Sequence, residues 1–321
     1  MTSSAEGGAD VEDDASAGPF RCSTASAARH EPMLATASRV DRWLLVEQTG
    51  PWGPESVPAG RMDPAAFAAV SRLATSYRAR LLLIRRPSVA NAEQHGITIF
   101  LAESRPGREW LMRRRVDGAD ELARLAPPAQ DTAWQVETEP LYLVCTHGRH
   151  DPCCALFGRP VAGALYAREP ERTWESTHVG GDRFGANVVV LPHGLYLGRV
   201  IPGRADDVVD AIRDGRIPLD LLRGRSSFST PVQAAQHFVR GDSPEASGRD
   251  VLDRFGDLVP LREEVVDSDV IRVLLAGRTG PISVTVRRQR SQHAVKLTCH
   301  APEPKIFPGF VLVGIEVPAA N

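Results

Sequence analysis

Pro140-Leu-Tyr-Leu-Val-Cys145-Thr-His-Gly-Arg-His-Asp-Pro-Cys-Cys154 is the stretch from which the rest of the chain is read. The run Leu141–Val144 is apolar without alternation, the pattern of a strand covered on both faces. Its last residue, Cys145, therefore sits at a strand tip. A polar loop with Gly148 and two histidines follows, and it closes on the pair Cys153-Cys154. Downstream, the sequence predicts a helix over 159–168 opened by Pro160 and a strand near 173–177. Strands over 187–191 and 194–200 follow, then a helix over 205–214 ended by Gly215 at the C′ position.

Strand, helix, strand, strand, helix is the order of a small thioredoxin-like domain. Upstream, Trp43–Glu47 reads as a strand stopped by Gly50-Pro-Trp-Gly53. Asp63-Pro64 supplies an N-cap and a proline at N1 for a helix whose apolar residues fall at 67, 70, 73, 74 and 77. Strands are expected at 80–85, 97–103 and 109–114. Beyond Ser226 come a helix over 231–240, a second over 249–255, and strands at 270–276, 282–288, 293–299 and 310–317. The fold class expected is α/β. An acidic, mostly disordered tail (1–39) precedes a small α/β unit (40–135), a thioredoxin-like central domain (136–225) and an α+β C-terminal domain (226–321).

Composition narrows the function. The 321 residues are 42% hydrophobic and 24% charged, ordinary for a globular protein. Lys+Arg 38 against Asp+Glu 40 leaves a net charge of −2, so no basic excess exists to neutralise phosphates and nucleic acid is not the expected partner. No window approaches the roughly 18 apolar residues of a membrane span, and the first residues lack a basic region followed by an apolar one. A cytoplasmic location is expected. Of the 38 basic residues only Lys296 and Lys305 are lysine, a bias of GC-rich bacterial coding.

The five cysteines are Cys22, Cys145, Cys153, Cys154 and Cys299. An odd number at uneven spacing is not a disulfide framework, and the cluster of three points to metal or redox chemistry. A second loop, Thr177-His-Val-Gly-Gly-Asp-Arg-Phe-Gly-Ala-Asn187, offers His178 and Asp182 around two glycines that let backbone approach a bulky group. Cys145 and Cys154 from one loop with His178 and Asp182 from the other make a four-donor set. Spacing alone leaves zinc and an iron–sulfur cluster both open. His147, Arg149, Cys153, Gly180, Gly181, Asn187 and His193 are read as surrounding residues. Cys22 and Cys299 are read as isolated, inert thiols.

Cys-x-His-Gly-Arg-x-Asp-x-x-Cys at 145–154, His-Val-Gly-Gly-x-x-Phe-x-x-Asn at 178–187 and Leu-Pro-His-Gly-Leu-Tyr at 191–196 resemble the sucrase/ferredoxin-like family. Arg21-Cys22-Ser23, Trp43–Glu47 and Gly50–Gly53 extend the resemblance upstream. It implies a thioredoxin-like ferredoxin domain and a [2Fe–2S] cluster on two Cys and two His. By motif these are Cys145, Cys154 and His178, with the second histidine position occupied by Asp182. The implied role is one-electron transfer with a redox partner protein rather than an enzyme's reaction. No motif places the paired carboxylates that a sucrase needs. A cluster-free scaffold, or a zinc or thiol-redox protein using Cys145, Cys153 and Cys154, are the alternatives.

Overall fold

The computed structural model describes residues 19–55, 62–87, 96–241 and 252–317. Ten strands form one mixed sheet: β1 (Arg42–Glu47), β2 (Ala79–Arg85), β3 (Ile97–Glu103), β4 (Trp110–Val116), β5 (Gln135–Val136), β6 (Leu141–Cys145), β7 (Thr173–Ser176), β8 (Val188–Leu191), β9 (Leu195–Leu197) and β10 (Leu222–Arg225). Their order across the sheet is β10-β9-β8-β6-β7-β2-β1-β3-β4-β5. The helices are α1 (Cys22–Ala28), α2 (Pro64–Tyr77), α3 (Ala119–Leu122), α4 (Pro152–Arg168), α5 (Ala205–Arg213) and α6 (Thr230–Gly241).

The stretch β6-α4-β7-β8-β9-α5 has a parallel pair β6/β7, with β8 and β9 added antiparallel on the other side of β6. That is the thioredoxin-like order expected from the sequence. The stretch β1-α2-β2-β3-β4 repeats it, with β1/β2 parallel and β3 and β4 antiparallel. The two units meet where β2 pairs antiparallel with β7, so the sheet runs on through the junction. Arg85 Nε donates to Glu175 Oε2 across this seam at 2.7 Å.

Side chains alternate across the buried strands. Tyr142 and Val144 face α4 and α5, while Leu141, Leu143 and Cys145 face a second layer that includes Val179, Val189 and Tyr196. Cys154 joins that second layer from the first turn of α4. The remaining strands, β11 (Pro260–Val265), β12 (Val270–Ala276), β13 (Pro281–Arg290) and β14 (Pro308–Glu316), form an antiparallel sheet in chain order, packed against α6.

Four sequence expectations are corrected. First, α4 begins at Pro152, seven residues ahead of 159, because Asp151 caps it: its side chain accepts from Cys153 N at 2.8 Å. Pro160 lies inside the helix rather than at its start. Second, residues 19–39 are packed rather than part of an acidic tail, with Cys22 and Ser26 fully buried on α1. Third, 293–299 is a loop with a single bridge, Val295 to Lys305. Its backbone is drawn off the sheet where Cys299 N donates to Asp151 Oδ2 at 2.6 Å. Fourth, part of the helix expected over 249–255 lies outside the described residues. The rest makes a turn in which Arg254 bridges to Arg216.

Gly158 fixes how closely α4 lies on β6. A Cβ there would stand 2.1 Å from the Cys145 carbonyl oxygen, inside any permitted contact. Gly158→Ala must push the helix off the strand tip, at a cost of about 1–3 kcal/mol. The expected thermal midpoint falls by roughly 5 °C, at about 2–4 °C per kcal/mol for a protein of this size class. A scanning calorimetry trace unchanged from wild type would contradict this packing.

Candidate metal centre

Parallel pairing places the ends of β6 and β7 side by side, with Cys145 level with Ser176. The loops that leave them, 146–151 and 177–187, therefore start next to each other, at the C-terminal edge where open α/β sheets gather their ligands. Thr146 N donates to Ser176 O at 3.2 Å, and Thr146 Oγ1 donates to Glu175 Oε2 at 3.0 Å. The loop pair is tied at its root.

The second loop is held carbonyl by carbonyl. Arg80 Nη2 donates to His178 O at 2.8 Å and its Nη1 to Val179 O at 3.0 Å. Arg223 Nη1 donates to Gly180 O at 2.8 Å, and Asn187 Nδ2 to Gly181 O at 2.9 Å. Asn187 Oδ1 in turn accepts from Arg223 Nη1 at 2.7 Å. Gly181 has φ +81°, and a Cβ on it would stand 2.3 Å from Arg223 Nη2. The glycine therefore supplies both a left-handed backbone and the room for a buried guanidinium.

Against this frame stand the donors. Cys145, Cys154 and His178 have their ligand atoms within 4.8 Å of one another. Cys154 Sγ donates to Asp182 Oδ1 at 3.1 Å. His178 Nδ1 lies 2.9 Å from the same oxygen, an ion-pair contact without the alignment of a hydrogen bond. His178 is shared by two groups, one with Cys145 and Cys154 and one with His150 and Asp182, each with its ligand atoms within 4.8 Å of one another; both cysteines and Asp182 are buried while His178 is 18% exposed.

Their charges are interlocked. The neighbouring Cys154 holds the Cys145 thiol well below its usual value, with burial opposing and His178 assisting. The contact with Cys145 pushes Cys154 well up, as do burial and the charges of Cys145 and Asp182. Burial works against a charged His178, but Asp182 and Cys145 outweigh it and raise the imidazole to about 9. Burial pushes the Asp182 carboxyl up as well, and the contacts with His178 and Cys154 reverse this, leaving it below the usual carboxylate range. Two soft sulfurs, an imidazole and one carboxylate suit zinc or an iron–sulfur cluster rather than a hard cation bound by oxygens alone.

The surrounding residues divide. His147 Nε2 contacts Gly53 O at 2.6 Å, so it is the donor, and Nδ1 accepts from His178 N at 3.2 Å. Both nitrogens are occupied, which makes His147 a brace between the Gly50–Gly53 turn and the second loop. Trp52 packs edge-on against its ring at 5.9 Å. His150 lies against His178 with the rings tilted by 33° and their centres 3.8 Å apart, and its Nε2 stands 3.7 Å from Asp182 Oδ2. Arg149 is exposed. His193 is away from the donor set, against Phe255 at 4.1 Å and Glu109 at 4.0 Å. Burial and Arg225 depress its pKa to about 4.

Cys153 turns away from Cys154. Its sulfur joins Cys22, Cys299 and Asp151 in a second group whose ligand atoms also lie within 4.8 Å of one another. Cys22 and Cys299 are thus not isolated thiols, and a site combining Cys153 with Cys145 and Cys154 is not formed. Residues 80 and 223 carried no sequence signal as loop anchors. An arginine in a short strand looks like a solvated edge, yet Arg223 is 2% exposed. It also donates to Thr36 Oγ1 and Thr36 O at 3.1 and 2.6 Å. Arg223→Met would strand these acceptors, and the expected loss of stability is roughly 2–4 kcal/mol by urea unfolding. A loss below about 0.5 kcal/mol, the range of ordinary surface substitutions, would refute the anchor role.

Fold and donors together define a thioredoxin-like protein with a sulfur-rich, metal-suited centre between two strand-end loops. A family model described as sucrase/ferredoxin-like matches residues 33–224, more than half of the chain, and the chain belongs to that family. Two solved structures, both cysteine-to-serine variants of the thioredoxin-like [2Fe–2S] ferredoxin from Aquifex aeolicus, are similar to it at 22% identity and a TM-score of 0.23 each. They cover 26% of this chain and 97% of their own. No curated protein matches the chain. Among the described residues no helix is long and apolar enough to cross a membrane.

Proposed function

We propose that this chain is a cytoplasmic one-electron carrier whose [2Fe–2S] cluster is held by Cys145, Cys154, His178 and Asp182. The observation that carries the reading is that Cys145, Cys154 and His178 come within ligand range of one another, with Asp182 touching Cys154 and His178, on a loop pair whose carbonyls are already bound. Such a site reorganises little when its charge changes. When bound, the cluster supplies reversible uptake of one electron. The protein's part is to hold the thiolates and the imidazole, to exclude water with the layer around Val179 and Tyr196, and to present His178 and His150 at the surface. A redox partner protein would exchange its electron over those two rings.

A single zinc ion is the second reading, favoured by the compactness of the Cys145, Cys154 and His178 atoms. Electron paramagnetic resonance separates the two. Protein purified without oxygen and reduced with dithionite should show one unpaired electron per chain, with nitrogen hyperfine coupling that disappears in His178→Ala. A silent reduced protein would defeat the cluster, and a signal without nitrogen coupling would remove His178 from it.

A further inference from the structure

We propose that Cys22, Cys153 and Cys299, with Asp151, form a separate zinc site that pins the C-terminal region to the family domain. The three cysteines come from the start of α1, the first turn of α4 and the loop between β13 and β14. Nothing in their spacing of 131 and 146 residues brings them together except the tertiary fold.

The distances fit one tetrahedral ion. Cys153 Sγ lies 3.3 Å from Cys299 Sγ, and Cys299 Sγ lies 3.6 Å from Cys22 Sγ. Cys22 Sγ stands 3.7 Å from both oxygens of Asp151. Zinc bound at about 2.3 Å to sulfur and about 2.0–2.2 Å to oxygen requires sulfur–sulfur edges of about 3.8 Å and sulfur–oxygen edges of about 3.5 Å. A disulfide needs its sulfurs at about 2.05 Å and would leave the third thiol over.

The surroundings are those of a built site. The Cys22 N–H donates to Cys299 Sγ at 3.4 Å, a bond that favours the thiolate. Asp151 accepts from Cys153 N at 2.8 Å and from Cys299 N at 2.6 Å, which aims its carboxylate and leaves lone pairs for a metal. Soft sulfur donors select zinc over calcium or magnesium. On binding, three S–H bonds are exchanged for three Zn–S bonds and the protons pass to solvent. The departure of 293–299 from the second sheet carries Cys299 to the site, where its N–H meets Asp151.

The test is metal analysis of the full chain, purified without oxygen in zinc-containing medium, alongside Cys299→Ser and Cys145→Ala. Wild type should hold roughly one zinc per chain and Cys299→Ser less than about a tenth of that, in line with the effect of losing a ligand to a structural ion. Cys145→Ala should keep its zinc, which separates this site from the proposed cluster. Because a variant can fail to fold, zinc X-ray absorption on wild type is the second measurement. It should show three sulfurs and one oxygen around zinc. Absence of zinc from wild type, a Cys153–Cys299 disulfide in the anaerobic protein, or zinc lost in Cys145→Ala but kept in Cys299→Ser would overturn the proposal.

Discussion

Cys154→Ala should purify without iron or acid-labile sulfide, while Cys153→Ala, one residue away, should keep both and lose its zinc. Consecutive helical residues point about 100° apart. In the first turn of α4 that rotation sends one thiol to each of two sites. Cys154 faces Asp182 at 3.1 Å within the layer beneath β6, and Cys153 faces Cys299 at 3.3 Å. Both are buried, so neither substitution is a surface change. The expected loss is nearly complete in each case, because among the described residues no further thiolate lies within reach to replace the one removed. Iron retained in Cys154→Ala but lost in Cys153→Ala would mean that the two sulfurs have been assigned to the wrong sites.

Asp182→His is expected to raise the reduction potential. Replacing two thiolates by neutral imidazoles moves cluster potentials from about −400 mV into the range of roughly −150 to +300 mV, largely by removing negative charge. An aspartate ligand retains one of those charges. Exchanging it for imidazole should therefore shift the potential by roughly +125 to +350 mV, half of that difference. The variant should also gain pH dependence from a second bound imidazole beside His178. Reduction raises the pKa of a bound imidazole, so the variant's potential should fall as pH rises through that value. Protein-film voltammetry across pH reads both effects. Asp182→Ala adds a check, since cluster content should drop sharply if the carboxylate is a ligand. If His150 is the fourth ligand instead, its nitrogen 3.7 Å from Asp182 taking the place, then His150→Ala and not Asp182→Ala would empty the site.

That Cys145, Cys154, His178 and Asp182 lie near one another was readable because each lies in a motif with its own local chemistry. Cys145 ends an unbroken apolar strand, Cys154 follows a Gly-containing loop, and His178 and Asp182 flank two glycines. The strand order came from equally local signals. Asp63-Pro64 marked the start of α2 correctly, and Asp63 Oδ1 accepts from Ala65 N and Ala66 N at 2.9 and 3.0 Å. Asp151-Pro152 carries the same signal for α4, and Pro160, a second proline inside the helix, imitates a later start. What stayed hidden depends on tertiary partners. The apolar alternation of 293–299 describes a strand until Asp151 captures the backbone of Cys299. A short helix among Ser and Ala has little to mark it until Cys22 and Ser26 find their pockets. Arg223 looks solvated until the carbonyls of Thr36 and Gly180 close around it.

The claim on which the rest depends is that the four donors hold iron and sulfide. The protein purified without oxygen should be red-brown and contain two irons and two acid-labile sulfides per chain, the composition of a [2Fe–2S] centre. Colourless protein that stays free of iron and sulfide after anaerobic reconstitution, whether or not zinc fills the Cys145, Cys154 and His178 site, would contradict it.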